Sequence, residues 1–276
     1  MLINEFFNFF LDELRDNEKL RRYYRFLESP KRFEFRKTYF CQRLEYIQSV
    51  ITDKNARILD CGCGYGTTGI YLSLNGYKVE GLTLEYYHDE ISSHKQFWAK
   101  YGYVDGFNAI YQNIFDTDYP AETFDYIILQ DTLHHLEPLD KALDIFSKII
   151  KPNGKIILVE ENGRNIIQNI KLIRQRGFKK VKEVYDSKQD KTFLLGDENI
   201  RSLNKWRTSC EKHDLKINEE SVQYIRFYPP SSFMSDNSAE IISKEQKLWQ
   251  KNRFLKNFFF FGLNFVLEKQ RSKSTT

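Results

Sequence analysis

The residues with the clearest chemical potential form a glycine-rich loop at positions 60–66, where the sequence reads DCGCGYG. The loop follows a short apolar run that predicts a strand, and a helical pattern begins near Thr67. Gly62 and Gly64 lack a Cβ atom, so the backbone can turn sharply there and approach a ligand closely. The start of the helix presents free N–H groups, and Asp60 adds a carboxylate at the end of the strand. Together these features predict a binding site for a small cofactor.

Two cofactor chemistries compete for this loop. Residues 64–69 read GYGTTG, which fits the GxGxxG fingerprint of dinucleotide-binding proteins. In that fingerprint the first glycine comes almost directly after the strand, whereas Gly64 lies four residues beyond Asp60. A carboxylate at the loop entrance also suits a cationic ligand better than a pyrophosphate. S-adenosylmethionine carries a sulfonium and an ammonium group, so the acidic entrance favours this cofactor.

A second group of polar residues follows the apolar run at 126–129. Gln130 and Asp131 come directly after the run, and His134 and His135 follow within five residues of Gln130. Histidine has a pKa suited to accepting a proton from an oxygen nucleophile. The pattern predicts that Asp131 and one or both histidines act near the reacting atoms. The structural alternative is that one histidine caps the next helix and the other packs against it.

The elements that must position these residues alternate between strands and helices. Strands are predicted over 57–60, 77–82, 109–111, 126–129 and 155–159, with helices between them. This alternation indicates a parallel sheet with helices on both faces. Residues 1–50 have helical periodicity that is broken at Pro30, and residues 1–55 are predicted to form a helical cap over the pocket.

The pattern beyond residue 160 is less regular. Helices are predicted over 165–176, 199–212 and 239–250, and strands over 221–227 and 258–267. We expect this region to supply insertions on the substrate side of the sheet and its final strands.

Four motifs occur in an order and at a spacing typical of one protein family. They are DCGCGYG at 60–66, NIFD at 113–116 with FDYII at 124–128, LHHL at 133–136, and KPNGK at 151–155. The first resembles motif I, DxGxGxG, of the class I methyltransferases, and the others resemble the acidic turn with the fourth strand, the segment after that strand, and the KPGG turn. The resemblance covers about residues 56–160.

The resemblance implies a Rossmann-like, mostly parallel seven-stranded sheet with helices on both faces and an N-terminal helical extension. It divides the chain into the cap at 1–55 and a methyltransferase domain at 56–276. Within this domain, residues 56–160 would form the cofactor-binding core, and residues 161–276 the substrate-side insertions and final strands. The implied cofactor is S-adenosylmethionine.

The resemblance also implies roles for the residues of the first two strands. Asp60 and the backbone of Gly62 and Gly64 would hold the methionine part of the cofactor. The family's acidic residue at the end of the second strand, which holds the ribose hydroxyls, is replaced here by Thr83. Thr83 itself or Glu85, two residues further on, is expected to take that role.

The same comparison implies contacts to the adenine and near the methyl group. Asn113 stands where the family often has Asp, and its side-chain oxygen can accept a hydrogen bond from the adenine amino group. The backbone N–H of Ile114 would meet an adenine ring nitrogen. Gln130 would lie beside the methyl group that is transferred.

Charge and composition narrow the range of partners. The 276-residue chain has a net charge of +4, which does not indicate a dedicated nucleic-acid-binding protein. Residues 164–191 contain nine Lys or Arg and three acidic residues, which indicates either a solvated helical face or a surface that attracts an anionic substrate or membrane. Aromatic residues make up 16% of the chain. These features favour an amphipathic or anionic acceptor, such as a phosphorylated sugar or a lipid intermediate.

The sequence gives no indication of a metal site, a signal peptide or a membrane span. The four cysteines include no CxxC pair, and the longest apolar run near the end is far shorter than the roughly 20 residues that a spanning helix needs. We therefore predict a cytoplasmic protein without a metal. The oligomeric state is not indicated.

The hypothesis is an S-adenosylmethionine-dependent methyltransferase acting on a small-molecule, sugar or lipid-like acceptor. Three alternatives stay open. The GLTLE sequence at 81–85 resembles a GxTLS variant of cyclopropane fatty acid synthases, which suggests lipid modification of that kind. A catalytically inactive binding protein with this fold is the second. An NAD(P)-dependent reductase is the third, although Asp60 and the lack of a recognisable Tyr-x-x-x-Lys pair argue against it.

Overall fold

The structure is a computed structural model that describes residues 1–84 and 87–270, so Glu85 lies outside the described residues. The strands in this part of the chain are β1 Arg57–Cys61, β2 Lys78–Thr83, β3 Phe107–Tyr111, β4 Phe124–Gln130, β5 Ile150–Glu161, β6 Val181–Asp186, β7 Lys191–Gly196, β8 Leu215–Ile225 and β9 Gly262–Lys269. The helices are α1 Ile3–Asp16, α2 Glu18–Tyr24, α3 Pro30–Val50, α4 Thr67–Leu74, α5 Tyr87–Trp98, α6 Leu139–Ile149, α7 Ile166–Arg176, α8 Leu203–Glu211, α9 Ser238–Lys251 and α10 Arg253–Phe258.

Seven of these strands form one sheet in the order β3-β2-β1-β4-β5-β9-β8. The strands β1 to β5 pair in parallel, whereas β9 runs antiparallel to both β5 and β8. The predicted mostly parallel, seven-stranded sheet is confirmed. The strand order reverses between β1 and β4, and the carboxyl ends of these strands form the crevice in which open α/β sheets bind ligands.

Helices cover both faces of the sheet because residues in each buried strand alternate in direction. Ile58 and Ile128 pack on one face together with the N-terminal helices, α4 and α5. Leu59, Ile127 and Leu129 pack on the other face with α6 and α8. The run IIL at 127–129 is therefore apolar throughout, as expected for a strand that is buried on both sides.

The N-terminal helices share a core with the sheet. Phe6, Phe7 and Phe10 of α1 are fully buried, and they belong to the same apolar cluster as Ile58 and Val79 of the sheet. Pro30 does more than interrupt a helix, because it occupies the first turn of α3, where its fixed φ and missing N–H are favourable. The predicted cap is thus packed continuously onto the cofactor-binding core.

A buried polar cluster fixes α1 to α5. The Glu13 carboxylate accepts a hydrogen bond from Trp98 Nε1 at 2.8 Å and pairs with His94 Nδ1 at 2.5 Å. All three side chains are almost completely buried. Their geometry therefore sets the position of α1 on the sheet.

The region beyond residue 160 differs from the prediction in three places. Strand β8 begins at Leu215, six residues before the predicted start at 221. Strands β6 and β7 form an antiparallel hairpin that we did not predict, because lysines and acids interrupt its period-two pattern. The predicted strand over 258–267 begins only at Gly262, because Phe258 ends α10 and residues 259–261 connect the helix to the strand. The predicted helix over 165–176 is confirmed as α7.

No helix in the described part of the chain is long and apolar enough to cross a membrane. The cytoplasmic location stays a prediction.

Candidate functional site

The predicted site residues converge on a cavity of about 590 Å³ at the carboxyl edge of the sheet. The ends of β1, β2 and β4 form its floor, and side chains from α2, α3 and β7 form its walls. Of the predicted residues, those that line it are Asp60, Gly62, Gly64, Thr83, Asn113, Ile114, Gln130, Asp131 and His135. Residues separated by up to 75 positions in the sequence are therefore brought to one cavity.

The glycine loop has the geometry that close ligand approach requires. The N–H groups of Gly62 and Cys63 both donate to the carbonyl oxygen of Leu82 at 2.9 Å, which joins the loop to the end of β2. Gly62 has a φ of 81°, and a Cβ atom there would collide with the side chain of Thr132. Gly64 has a φ of 53°, with open space on its Cβ side. The loop therefore presents bare backbone to the cavity.

Among the residues predicted to bind the cofactor, Asp60 has a buried carboxylate and a raised pKa. The residue is 2% exposed, and its Oδ2 atom has no hydrogen-bond partner among the described residues. Burial raises the pKa of its carboxyl group to about 7. A buried, unpartnered carboxylate is costly, and a cationic ligand group would satisfy it. The ammonium group of S-adenosylmethionine fits this requirement.

The remaining cofactor-side residues are partly held by hydrogen bonds. The Asn113 side-chain oxygen accepts from the N–H of Phe115 at 3.2 Å, and the Gln130 side-chain oxygen accepts from the Thr68 hydroxyl at 3.2 Å. Thr83 is buried at the end of β2. These bonds orient both amide side chains at the edge of the cavity before any ligand binds.

Asp131 is held by a guanidinium from the N-terminal helices. Arg43 Nη1 lies 2.6 Å from Asp131 Oδ2, and Arg43 Nη2 donates to Oδ1 at 3.2 Å. Burial opposes ionisation, but Arg43 and then Arg226 lower the pKa of Asp131 below its usual range. Asp131 has a φ of 49°, and its N–H donates to the carbonyl of Val159. The carboxylate is therefore ionised and fixed in direction.

The two histidines occupy different environments. His134 is 2% exposed and is not among the described residues that line the cavity. Its Nδ1 atom lies 2.5 Å from Glu160 Oε2. Although burial opposes protonation, the Glu160 carboxylate raises the pKa of His134 to about 9. His134 therefore supports the segment after β4. It was predicted as a catalytic residue, but the structure does not place it in the lining of the cavity.

His135 lines the cavity and has the protonation state of a base. Its Nδ1 atom lies 2.7 Å from the carbonyl oxygen of Gly196, and a carbonyl can only accept, so Nδ1 carries the proton. Burial, followed by the nearby His134, lowers the pKa of His135. The ring is therefore neutral near pH 7, and its Nε2 lone pair can accept a proton.

A third residue lies close to both histidines. Ligand-type atoms of His134, His135 and Glu198 lie within 4.8 Å of one another, which is the one such group in the described part of the chain. His134 Nε2 lies 3.7 Å from Glu198 Oε2, and the other nitrogen pairs with Glu160. We interpret the group as an ion-paired network around a protonated His134.

Four arginines line the cavity, Arg25, Arg36, Arg43 and Arg226, and the sequence did not assign a role to any of them. Arg226 follows β8 with a φ of 64°, and its buried Nε atom has no hydrogen-bond partner among the described residues. One of its Nη atoms reaches Glu161 at 3.4 Å. Arg36 of α3 donates to the backbone carbonyl of Arg25 and forms no ion pair with the described residues. No local sequence signal identifies these residues, because the fold brings them together from distant segments.

Four aromatic residues from the less regular region beyond residue 160 divide between the cavity and the core. Phe193 lines the cavity from β7. Trp206 and Tyr224 are buried in the apolar cluster behind the sheet, and Tyr228 packs at the edge of a separate small cluster. Their separation could not be predicted, because it depends on the register of β8 and on the missed hairpin.

Comparison with known proteins identifies the family. The sterol 4-C-methyltransferase of Caenorhabditis elegans is 23% identical over 193 residues, which cover 70% of this chain and 53% of that protein. The ubiquinone biosynthesis O-methyltransferase of Coxiella burnetii is 30% identical over 115 residues, which cover 41% of this chain and 47% of that protein. The chain thus spans about half the length of these relatives.

Comparison with solved structures and with a family model agrees with these two relatives. The solved structure of the YcgJ protein from Bacillus subtilis has a TM-score of 0.56 at 15% identity, covering 84% of this chain and 99% of that one. A family model described as a methyltransferase domain matches residues 32–233. Because this match spans well over half of the sequence, the chain belongs to the class I S-adenosylmethionine-dependent methyltransferase family.

Proposed function

We propose that this protein transfers a methyl group from S-adenosylmethionine to an amphipathic, anionic acceptor of small-molecule or lipid-like type. The observation that carries the proposal is the division of the cavity. Asp60, in β1, has a carboxylate oxygen without a hydrogen-bond partner among the described residues. Two arginines that also line the cavity are poorly neutralised: Arg36 forms no ion pair with the described residues, and Arg226 has one contact with Glu161, at 3.4 Å.

The cofactor side matches the chemical groups of S-adenosylmethionine. When bound, this cofactor supplies an electrophilic methyl group. Asp60, with the backbone of Gly62 and Gly64, would hold its amino-acid end. Thr83, at the end of β2, would contact the ribose, in keeping with its buried position at the cavity wall.

The adenine and the transferred methyl group would contact the ends of β3 and β4. Asn113 and the backbone N–H of Ile114 would bind the adenine, and Gln130 would lie near the methyl group. The side-chain hydrogen bonds of Asn113 and Gln130 already fix their directions toward the cavity wall.

The acceptor side combines positive charge with apolar surface. Arg36 and Arg226 line it together with Phe35, Phe193 and Leu195. Guanidinium groups bind carboxylates and phosphates in forked geometry, and the aromatic wall suits a ring or an alkyl chain. The names of the sterol and ubiquinone relatives are consistent with a lipid-like acceptor.

Proton removal from an oxygen acceptor falls to His135. His135 lines the cavity, and the Gly196 carbonyl keeps the proton on Nδ1, which leaves the Nε2 lone pair to accept a proton. Asp131, fixed by Arg43, would orient the acceptor. His134 would act on this site only by positioning the segment that carries His135.

The decisive experiment is calorimetric titration of the purified protein with S-adenosylhomocysteine, beside NADH and an Asp60→Ala variant. We expect micromolar affinity for the adenosyl ligand, loss of this affinity in the variant, and no binding of NADH. Absence of adenosyl binding in the wild-type protein would overturn the proposal.

A second step tests the acceptor class by following S-adenosylhomocysteine formation with paired acceptors. Each pair should consist of a carboxylate or phosphate compound and its neutral analogue. Faster turnover of the anionic members, lost in Arg226→Met, is expected. Equal turnover of both members in wild-type protein would contradict the anionic class. Tight cofactor binding without transfer to any acceptor would favour the inactive-fold alternative.

A further inference from the structure

Helix α7 has an exposed apolar stripe on the side opposite its buried face. Leu172 and Gln168 face the protein. The exposed isoleucines follow the i, i+1, i+4, i+7 spacing of one helical face and are 43% to 54% exposed: Ile166, Ile167, Ile170 and Ile173. Phe178, just beyond the helix, is 85% exposed. Isolated exposed apolar residues need no explanation, but a continuous stripe of this kind marks an interaction surface.

The charge around this stripe has a single sign. Residues 164–182 contain seven Lys or Arg and no Asp or Glu. Lys182 pairs with Asp197, whereas Lys171, Arg174 and Lys179 form no ion pair with the described residues. Burial lowers the pKa of Lys180, and the neighbouring cations Lys205 and Arg176 lower it further. This surface thus carries closely spaced positive charges that lack local counterions.

We propose that α7 and the residues that follow it as far as Lys182 bind an anionic lipid membrane. We name this part of the protein the α7 surface. A helix with exposed isoleucines, an adjacent aromatic residue and flanking lysines and arginines has the composition of helices that lie in the membrane interface. Each basic residue near an anionic leaflet adds attraction, and the isoleucines and Phe178 supply apolar contact.

The position of this surface links it to the cavity. The α7 helix begins five residues after β5 ends, at the same carboxyl edge of the sheet that carries the acceptor side. Arg176 Nη2 donates to the carbonyl of Glu198 at 3.4 Å, which joins the end of α7 to the segment beyond β7. Phe193 and Leu195 of β7 line the cavity. A protein bound through the α7 surface would therefore hold its acceptor side near the bilayer, as a lipid-like acceptor of the proposed function would require.

The test is co-sedimentation of the full chain with vesicles. One set contains phosphatidylcholine alone, and the other contains equal parts of phosphatidylcholine and phosphatidylglycerol. Wild-type protein is expected to bind the anionic vesicles, to release from them as the salt concentration rises, and to remain in solution with neutral vesicles. The double variant Ile167→Ser, Ile170→Ser should weaken binding by at least about tenfold.

Matched variants distinguish binding through the α7 surface from nonspecific hydrophobic binding to vesicles. Phe178→Ser should reduce binding several-fold, whereas Tyr103→Ser should leave it unchanged. Tyr103 is a suitable control because it is an exposed aromatic residue, at 64%, and precedes β3. It therefore lies near the amino ends of the parallel strands, whereas α7 begins near their carboxyl ends. Lys179→Gln with Lys180→Gln should reduce binding to anionic vesicles by about fivefold per charge.

Three outcomes would overturn the inference. They are no binding to anionic vesicles, binding that the isoleucine variant leaves unchanged, and a dimer in light scattering that the same variant disperses without any vesicle binding. S-adenosylhomocysteine titration of every variant is run in parallel. Lost vesicle binding with unchanged cofactor affinity would show that the variant affects the membrane surface and leaves the cofactor site of the proposed function intact.

Discussion

The single residue that most strongly governs this site is Asp60, because its carboxylate is buried without a partner. Its pKa is raised to about 7 by burial, so the group changes charge within the physiological range. A cationic ligand binds only to the ionised form. Cofactor binding and the stability of the unliganded protein should therefore respond to pH in opposite ways.

The first prediction concerns cofactor affinity. S-adenosylhomocysteine should bind about tenfold more weakly near pH 6 than near pH 8, because the fraction of ionised Asp60 falls as the pH drops through 7. Calorimetric titration across this range measures the effect. The Asp60→Asn variant serves as the control: it should bind weakly at all pH values, and a wild-type curve just as flat would contradict the prediction.

The second prediction concerns stability without ligand. The pKa of Asp60 is higher in the folded than in the unfolded protein, so its contribution to stability is present at low pH and is lost as the pH rises through about 7. Between the ordinary pKa of 3.8 and about pH 7, Asp60 alone should therefore lower the free energy of unfolding by a few kcal/mol. In urea unfolding, Asp60→Asn should be more stable than wild type near pH 8. Lower stability of the variant at that pH would contradict the argument.

The third prediction concerns His135. In His135→Asn the amide nitrogen can still donate to the Gly196 carbonyl, but the variant has no group equivalent to Nε2. We expect kcat for an oxygen acceptor to fall by about 10²–10⁴-fold with unchanged cofactor affinity.

Addition of a chelator to wild-type protein should leave kcat unchanged, since the reaction is predicted to use no metal. A chelator-sensitive wild-type enzyme would instead assign the His134, His135 and Glu198 group to a cation.

At the scale of the elements, α3 connects the N-terminal helices to the reacting edge of the sheet. Arg43 on this helix makes two contacts to Asp131, which follows β4. Tyr39 on the same helix donates to Glu245 of α9 at 2.6 Å. A helix before the sheet and a helix near its last strand therefore meet at the acceptor side.

The fourth prediction tests the Arg43–Asp131 pair with a double-mutant cycle. Arg43→Met, Asp131→Asn and the double variant should show a coupling energy of about 1 kcal/mol in unfolding, because more than a third of the Asp131 side chain is exposed to solvent. The same variants should lower kcat more than they change cofactor affinity. Additive effects in both measurements would show that the pair has no joint role.

The sequence predicted the elements and residues that depend on local pattern. The β1 loop and the strands β2 to β5 follow from short motifs, and the structure contains all of them, although β5 begins at Ile150 instead of residue 155. Arg36, Arg43 and Arg226 were not predicted as site residues, because each lies in a helix or at a strand end with no local signal, and only the tertiary fold brings them together. The β6–β7 hairpin was missed because its strands alternate charged and apolar residues irregularly.

At the scale of the whole molecule, the N-terminal helices and the sheet form one packed unit. Phe6 is fully buried and stacks on Trp98 with a centroid distance of 4.3 Å, and both belong to the apolar cluster that includes the sheet residue Ile58. Stability at the cofactor loop should therefore depend on α1.

The fifth prediction follows from this shared core. Phe6→Ala should lower the free energy of unfolding by about 3–5 kcal/mol, because it leaves a cavity among buried aromatic rings. Calorimetry should show a single unfolding transition in both proteins. Two separate transitions, with only one of them shifted, would mean that residues 1–55 fold independently. Leu2→Ala is a suitable control, since Leu2 is 78% exposed in the same segment.

The position of β9 has a consequence for synthesis of the protein. This strand lies between β5 and β8, although it follows both of them in the chain. While the chain emerges from the ribosome, β8 has no strand to pair with until residues 262–269 have left the exit tunnel. Leu215, Ile217 and Tyr224 would lack their contacts with the apolar residues of β9 during that interval. The nascent chain would therefore present an unpaired strand edge to chaperones until β9 emerges and completes the sheet.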